Sequence, residues 1–189
     1  VVSLPVLIVV AVWMLCGTFP PALVAGLALS ALGDALLAWD SKAALPSGMA
    51  AFFAAHVAYV FLFLTWATSG AGITFQLWPV IAGAALAAGA IWILRLVWAH
   101  LGALRIPVVA YAAIIVTMAV SSFLLPAGYQ LVMAGAVMFM ASDAILSIAI
   151  FKPQPGFAGS TGGSLAIWFL YYFGQLAIAA GFVANLPMI

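Results

Sequence analysis

Pro21-Ala22-Leu23-Val24-Ala25-Gly26-Leu27-Ala28-Leu29-Ser30-Ala31-Leu32-Gly33-Asp34-Ala35-Leu36-Leu37-Ala38-Trp39 is an apolar run with a single charge inside it, Asp34. A bilayer-spanning helix needs roughly 20 apolar residues, so this run has the reach of one. Its length and its lack of strict alternation do not suit a barrel strand. The pattern recurs at Val1–Gly17, Gly48–Thr68, Ile73–Val97, Pro107–Leu125, Tyr129–Phe151 and Ser164–Asn185. Turn chemistry separates the runs: Thr18-Phe19-Pro20-Pro21, Asp40-Ser41-Lys42 through Pro46-Ser47-Gly48, Ser69-Gly70-Ala71-Gly72, Pro126-Ala127-Gly128 and the stretch Lys152–Gly163. The expected fold is all-α: a polytopic transmembrane helical bundle with seven visible spans, forming one domain over residues 1–189.

Composition agrees. Of the 189 residues 69% are hydrophobic and 4% charged, where a soluble domain carries about a quarter charged residues. Such a chain has too few ionic groups to cover a water-facing surface, and a net charge of +1 argues against nucleic acid as a partner. The one cysteine, Cys16, cannot form an internal disulfide. The run Val1–Gly17 lacks a basic leading region and reads as a span, not a cleaved signal peptide.

The charges sort by loop. Lys42 follows the second run, Arg95, His100 and Arg105 flank the loop after the fourth, and Lys152 follows the sixth. The loops after the first, third and fifth runs carry no charge. All Lys and Arg therefore fall on one side, which the positive-inside rule makes cytoplasmic, with Val1 inside and Ile189 outside. The Ala- and Gly-rich composition fits a bacterial inner membrane. Gly33-Asp34-Ala35-Leu36-Leu37-Ala38 also resembles Ser142-Asp143-Ala144-Ile145-Leu146-Ser147. The two helices are four apart and parallel, so a four-plus-four repeat would want one more span before Val1, eight in all.

An ionised Asp at mid-membrane costs about 2.5–3.5 kcal/mol even on a lenient scale, so such residues normally face inward and do chemistry. Asp34 lies about 9 Å, and Asp143 about 13 Å, from the cytoplasmic loop by helix rise. His56, with Tyr59 on the same face at i+3, falls at a similar depth. Tyr111 stands early in the fifth run; Tyr172 and Gln175 share a face early in the seventh, beside Tyr171. Candidate catalytic residues are thus Asp34, Asp143 and His56, and candidate substrate-binding residues are Tyr59, Tyr111, Tyr172 and Gln175. The bland reading of each is a hydrogen bond to a neighbouring helix or, for tyrosine, an interfacial position. The outer halves offer only small groups, Thr65, Thr68, Ser121 and Ser122, able to bond their own helices.

No glycine-rich phosphate loop or Ser-His-Asp arrangement is legible, and no cofactor is implied. A zinc hydrolase wants about three His ligands, whereas only His56 lies within a run; Asp34, Asp143 and His56 could suit other metals, but no metal is the preferred reading. The Gly-x-Gly-Asp of an intramembrane aspartyl protease is absent, since Ala31-Leu32-Gly33-Asp34 begins with Ala. Oligomeric state leaves no signal in the sequence.

The run Gly26–Leu37 resembles the YhhN family of membrane proteins. So does the ordered series that follows: Gly48-x3-Phe52-x3-His56-x2-Tyr59, then Tyr111 and Met118, then Gly135-Ala136-x2-Phe139-x2-Ser142-Asp143-x2-Leu146, then Tyr171-Tyr172-x2-Gln175-Leu176. The resemblance covers nearly the whole chain. It implies a lysoplasmalogenase: an ether hydrolase of lipid metabolism that cuts the vinyl ether of a lysophospholipid, giving a fatty aldehyde and glycerophosphoethanolamine or glycerophosphocholine. Members carry a Lys-Pro near the start of an early helix, where this chain has Ser3-Leu4-Pro5, and usually have about eight spans. The reaction fits the residues: protonation of the vinyl β-carbon by one carboxyl, an oxocarbenium ion faced by the other, and water held by His56 with Tyr172 or Gln175, much as two carboxylates work in glycosidases. The alternative is a small proton-coupled transporter or lipid exporter using the same aspartates as a relay.

Overall fold

The computed structural model describes residues 20–39, 41–69 and 76–185, and every element in them is helical. Six α-helices follow in order: α1 Pro21–Leu37, α2 Ala44–Ser69, α3 Leu77–Val97, α4 Arg105–Ser122, α5 Gln130–Phe151 and α6 Thr161–Val183. Short 3-10 turns lie at Trp98–His100, Gly102–Leu104 and Gly156–Gly159. Five stretches, Ala44–Ser69, Leu77–His100, Gly102–Ser122, Gln130–Phe151 and Thr161–Val183, are long and apolar enough to cross a membrane, and α1 is a shorter apolar helix of 17 residues. The chain is a multi-pass membrane protein. The run Val1–Gly17 with Cys16 and Ser3-Leu4-Pro5, Asp40, and most of the Ser69–Gly72 break lie outside the described residues.

The helix starts explain where the expected boundaries move. Pro46 was expected to mark a break, yet it stands in the first turn of α2. Proline is tolerated there, because a first-turn N–H has no intrahelical acceptor. The helix therefore begins at Ala44 and takes in Ser47 and Gly48, with Ser47 N–H donating to Ala43 O at 3.0 Å. Pro21, Pro79 and Pro107 occupy the same kind of place in α1, α3 and α4. Likewise α6 starts at Thr161, inside the expected Lys152–Gly163 loop, because Ser160 caps it by accepting from Gly163 N–H.

Two antiparallel hairpins, α1–α2 and α5–α6, are the tightest pairs. Lipid tails are as apolar as leucine, so helices in a bilayer associate through close fit and not through escape from water. Glycine supplies the fit. A Cβ on Gly135 would lie 2.5 Å from Gly174 O, and one on Gly174 2.9 Å from Gly135 O, so α5 and α6 touch backbone to backbone. In the first hairpin the glycines of α1 receive rings of α2: a Cβ on Gly33 would meet Phe52, and one on Gly26 would meet Tyr59, each at 2.7 Å. Aromatic side chains bridge the hairpins, with Phe52 edge-on to Phe139 and Tyr171, and Phe63 stacked on Phe182 at 5.9 Å. Helix α4 packs on α2, α3 and α5. Helix α3 is the least covered; among its residues only Gly83 and Val97 are buried. A small apolar cluster joins Val97, Leu101 and Val108 to Met49, Ile148 and Phe151, so the ends next to Lys42, Arg95, Arg105 and Lys152 meet at one end of the bundle.

Candidate functional site

Asp34 stands on α1, three residues before its end at Leu37, and Asp143 stands on α5, eight residues before Phe151. Each carboxylate is held from another helix by a tyrosine. Tyr171 on α6 donates its O–H to Asp34 Oδ2 at 2.8 Å, and Tyr111 on α4 donates to Asp143 Oδ2 at 2.5 Å. Each bond ties a carboxyl group on one helix to a hydroxyl on another and so fixes its orientation. The two clamps are neighbours: Phe139 packs on the Tyr171 ring of one at 5.2 Å and, at 4.8 Å, on the His56 imidazole that lies beside the other.

His56 is fully buried beside the Asp143–Tyr111 clamp. Its Nδ1 lies 2.6 Å from Phe52 O, one turn back on α2. A carbonyl can only accept, so Nδ1 carries the proton and Nε2 offers a lone pair. That Nε2 lies 4.0 Å from Asp143 Oδ2, beyond direct hydrogen-bond range. It has no hydrogen-bond partner among the described residues. Tyr111 and Phe139 close the imidazole in, with ring centroids at 5.3 and 4.8 Å. Deeper, the buried Tyr59 donates to Gln175 Oε1 at 2.5 Å, joining α2 to α6. Gln175 Nε2 and Ser30 Oγ are also buried without partners among the described residues.

Of the residues singled out by sequence, Asp143, Tyr111 and His56 form one group. Tyr59 and Gln175 form a second pair, and Asp34 joins Tyr171. Tyr172 does not join them. It stacks on Trp168 at 5.3 Å with the rings 4° apart, half-buried on another face of α6. The expected face of Tyr172 and Gln175, at i+3, gives way to that of Tyr171 and Gln175, at i+4, which diverges less around the helix. The spacing to Gln175 was the available signal, and both offsets are compatible with one face. Among the described residues no group of three or more His, Cys, Asp or Glu is arranged to hold a metal ion.

Asp143 and Tyr111 line an apolar cavity of about 360 Å³ between α3, α4 and α5. Asp34 is not among its lining residues. A second, smaller pocket of about 60 Å³ lies toward the basic end, among Leu37, Met49, Phe52, Leu146 and Phe151, and Asp143 and Tyr111 line it too. The Asp143 carboxylate therefore stands at the wall between a lipid-sized space and a water-sized one. In the other halves of the helices Thr65, Thr68, Ser121 and Ser122 all donate to carbonyls of their own helix. The arrangement can donate a proton into an apolar space, stabilise a cation next to it and accept a proton at His56 Nε2.

The model of the YhhN family matches residues 1–182. The chain is 34% identical over 167 residues to proteins named lysoplasmalogenase from Mycobacterium bovis and Mycobacterium tuberculosis. These matches cover 85% of this chain and 59% of each relative, so the chain spans well under two thirds of the length of the curated relatives it matches. No solved structure matches.

Proposed function

The chain belongs to the YhhN family, and from that premise we propose that it is a lysoplasmalogenase-like membrane hydrolase, a single helical domain acting on lysophospholipids that carry a vinyl ether. The observation that carries this reading is a carboxyl group, Asp143, held by Tyr111 at the wall of an apolar cavity large enough for a lipid chain. The name borne by the mycobacterial relatives supports the substrate class.

The chemistry balances without a cofactor. The Asp143 carboxyl gives its proton to the vinyl β-carbon, whose π electrons form the new C–H bond and leave an oxocarbenium ion. The Asp143 carboxylate faces that cation, and Asp34 adds a second carboxylate outside the cavity lining. Water adds to the cationic carbon and loses a proton to His56 Nε2, giving a hemiacetal. The hemiacetal gives its hydroxyl proton to the Asp143 carboxylate and breaks its bond to the glycerol oxygen, which takes the proton held on His56, leaving a fatty aldehyde, a glycerophospho-alcohol and both side chains as they began. General acid–base groups of this kind are worth roughly 10²–10⁴-fold each. Tyr59 and Gln175 belong to the same polar layer and order the helices around it.

By the positive-inside rule the end bearing Lys42, Arg95, Arg105 and Lys152 faces the cytoplasm. The protein then sits in a bacterial inner membrane with its site toward the cytoplasmic leaflet. The matched hairpins α1–α2 and α5–α6, each with an aspartate on its first helix, are what a parallel repeat would give in a chain whose sequence reads as seven spans. A proton-coupled transporter would need polar groups continuing to the far side. The hydroxyls there are committed to their own helices, which favours the hydrolase.

The test is aldehyde release from a lysoplasmalogen by purified protein, with Asp143→Asn and Asp34→Asn alongside. Release by the wild type and loss in Asp143→Asn is the expected result. Full activity in Asp143→Asn would remove the proposed acid, and a wild type inert on every vinyl ether lipid would overturn the activity.

A further inference from the structure

We infer that the cavity between α3, α4 and α5 holds one aliphatic chain of the substrate, with Gly89 leaving room for the reacting bond and Ala85 setting the chain length accepted. The inference rests on the hydrolase reading above and adds how that site chooses its lipid.

The cavity exists because its walls lack bulk: Ala85 and Gly89 on α3, Ala112 on α4, Ala141 on α5. A Cβ built on Gly89 meets nothing within 4 Å, so the helix presents open space at that point. The exposure of α3 leaves the flank accessible to lipid. Tyr111, Asp143, Ser147 and the indole N–H of Trp92 are the polar groups of the lining, and Ser147 donates to Ala144 O on its own helix. The space thus offers a headgroup little beyond the Asp143–Tyr111 pair and suits a hydrocarbon.

Its size names the occupant. At roughly 30 Å³ for a methylene, similar to a water's share of liquid volume, the cavity takes about a dozen carbons, which is one chain and not two. A helix from a second protein, about 10–12 Å across, would not enter. Register gives the direction. Gly89 precedes Val97 by as many residues as Asp143 precedes Phe151, and Val97 and Phe151 meet at the basic end, so Gly89 and Asp143 stand at one level. Ala85 lies one turn, about 6 Å, further into the membrane region, and Val137 about 9 Å beyond Asp143. A vinyl ether beside Asp143 therefore lies across from Gly89, and its chain runs past Ala85.

Surrounding lipid is as apolar as the cavity, so filling it yields no transfer gain per methylene. Selection is by fit, and shows as a length cutoff and not as a steady rise in affinity.

The experiment compares a series of vinyl ether lysolipids of increasing chain length. Ala85→Leu should lower the ratio of long-chain to short-chain turnover at least ten-fold. Gly89→Leu, at the level of the reacting bond, should lower turnover of all lengths together. A second arm uses a saturated alkyl-ether lysolipid, which cannot be hydrolysed by this route, with a photoactivatable group in its chain. It should label peptides of α3 and α4 in the wild type and label them at least five-fold less in Ala85→Leu. An unchanged length ratio in Ala85→Leu, or labelling away from α3 and α4, overturns the inference while leaving the hydrolase reading intact. Labelling of α3 and α4 by a wild type that cleaves no vinyl ether overturns the hydrolase reading while the cavity keeps its chain.

Discussion

Asp34 and Asp143 sit in similar hexapeptides, on the first helices of two similar hairpins, and each is held through Oδ2 by a tyrosine of another helix. Their surroundings nonetheless differ. Asp143 lines the large cavity and stands 4.0 Å from an imidazole lone pair, whereas Asp34 is set back from that cavity and has Tyr171 as its side-chain partner. Local sequence supplies a carboxylate at a depth, while packing decides which carboxylate faces the cavity.

The largest effects are expected at the carboxylates themselves. Asp143→Asn should cost roughly 10²–10⁴ in kcat, and Asp34→Asn about ten-fold less than that, measured as aldehyde release. Equal losses would show that the two are interchangeable. Next comes His56→Phe, which keeps an aromatic ring in the pocket and removes Nε2; a loss of about 10²-fold in kcat with little change in KM is expected for a proton acceptor. The two tyrosine clamps should differ as well. Tyr111→Phe removes a hydrogen bond to a carboxylate worth about 1.5–3 kcal/mol, so kcat/KM should fall by roughly 10–100-fold, and Tyr171→Phe should fall less. The smallest catalytic effect belongs to Tyr172→Phe, which should leave turnover within about two-fold because that hydroxyl is apart from both carboxylates. Gly135→Ala tests the hairpin rather than the site. Its methyl group meets Gly174 O and Ile178 N of the facing backbone, and overpacking of this kind costs about 1–3 kcal/mol, readable as a lower thermal midpoint in detergent.

The helices and the polar layer were legible in the sequence for one reason: charge is so rare here that each ionic side chain carries information. Asp34, Asp143 and His56 stood out because placing them among lipid is costly. The facing of the helices was not legible. In a soluble protein an apolar stripe marks the buried face; here core and lipid are equally apolar, so Tyr171 and Tyr172 differ only by a turn angle that the sequence does not resolve. The cavity was invisible for a related reason. Ala85, Gly89 and Ala112 are ordinary membrane-helix residues until three helices bring them to one place. Pro46 misled because proline breaks a helix only beyond its first turn.

The Tyr111 bond has a stereochemical consequence. It holds Asp143 through Oδ2. A proton delivered from one fixed oxygen reaches a bound alkene from one side only. Hydrolysis in heavy water would then give an aldehyde bearing a single deuterium at the carbon next to its carbonyl, in one handedness, so that the orientation of one phenol is written into the chirality of the product.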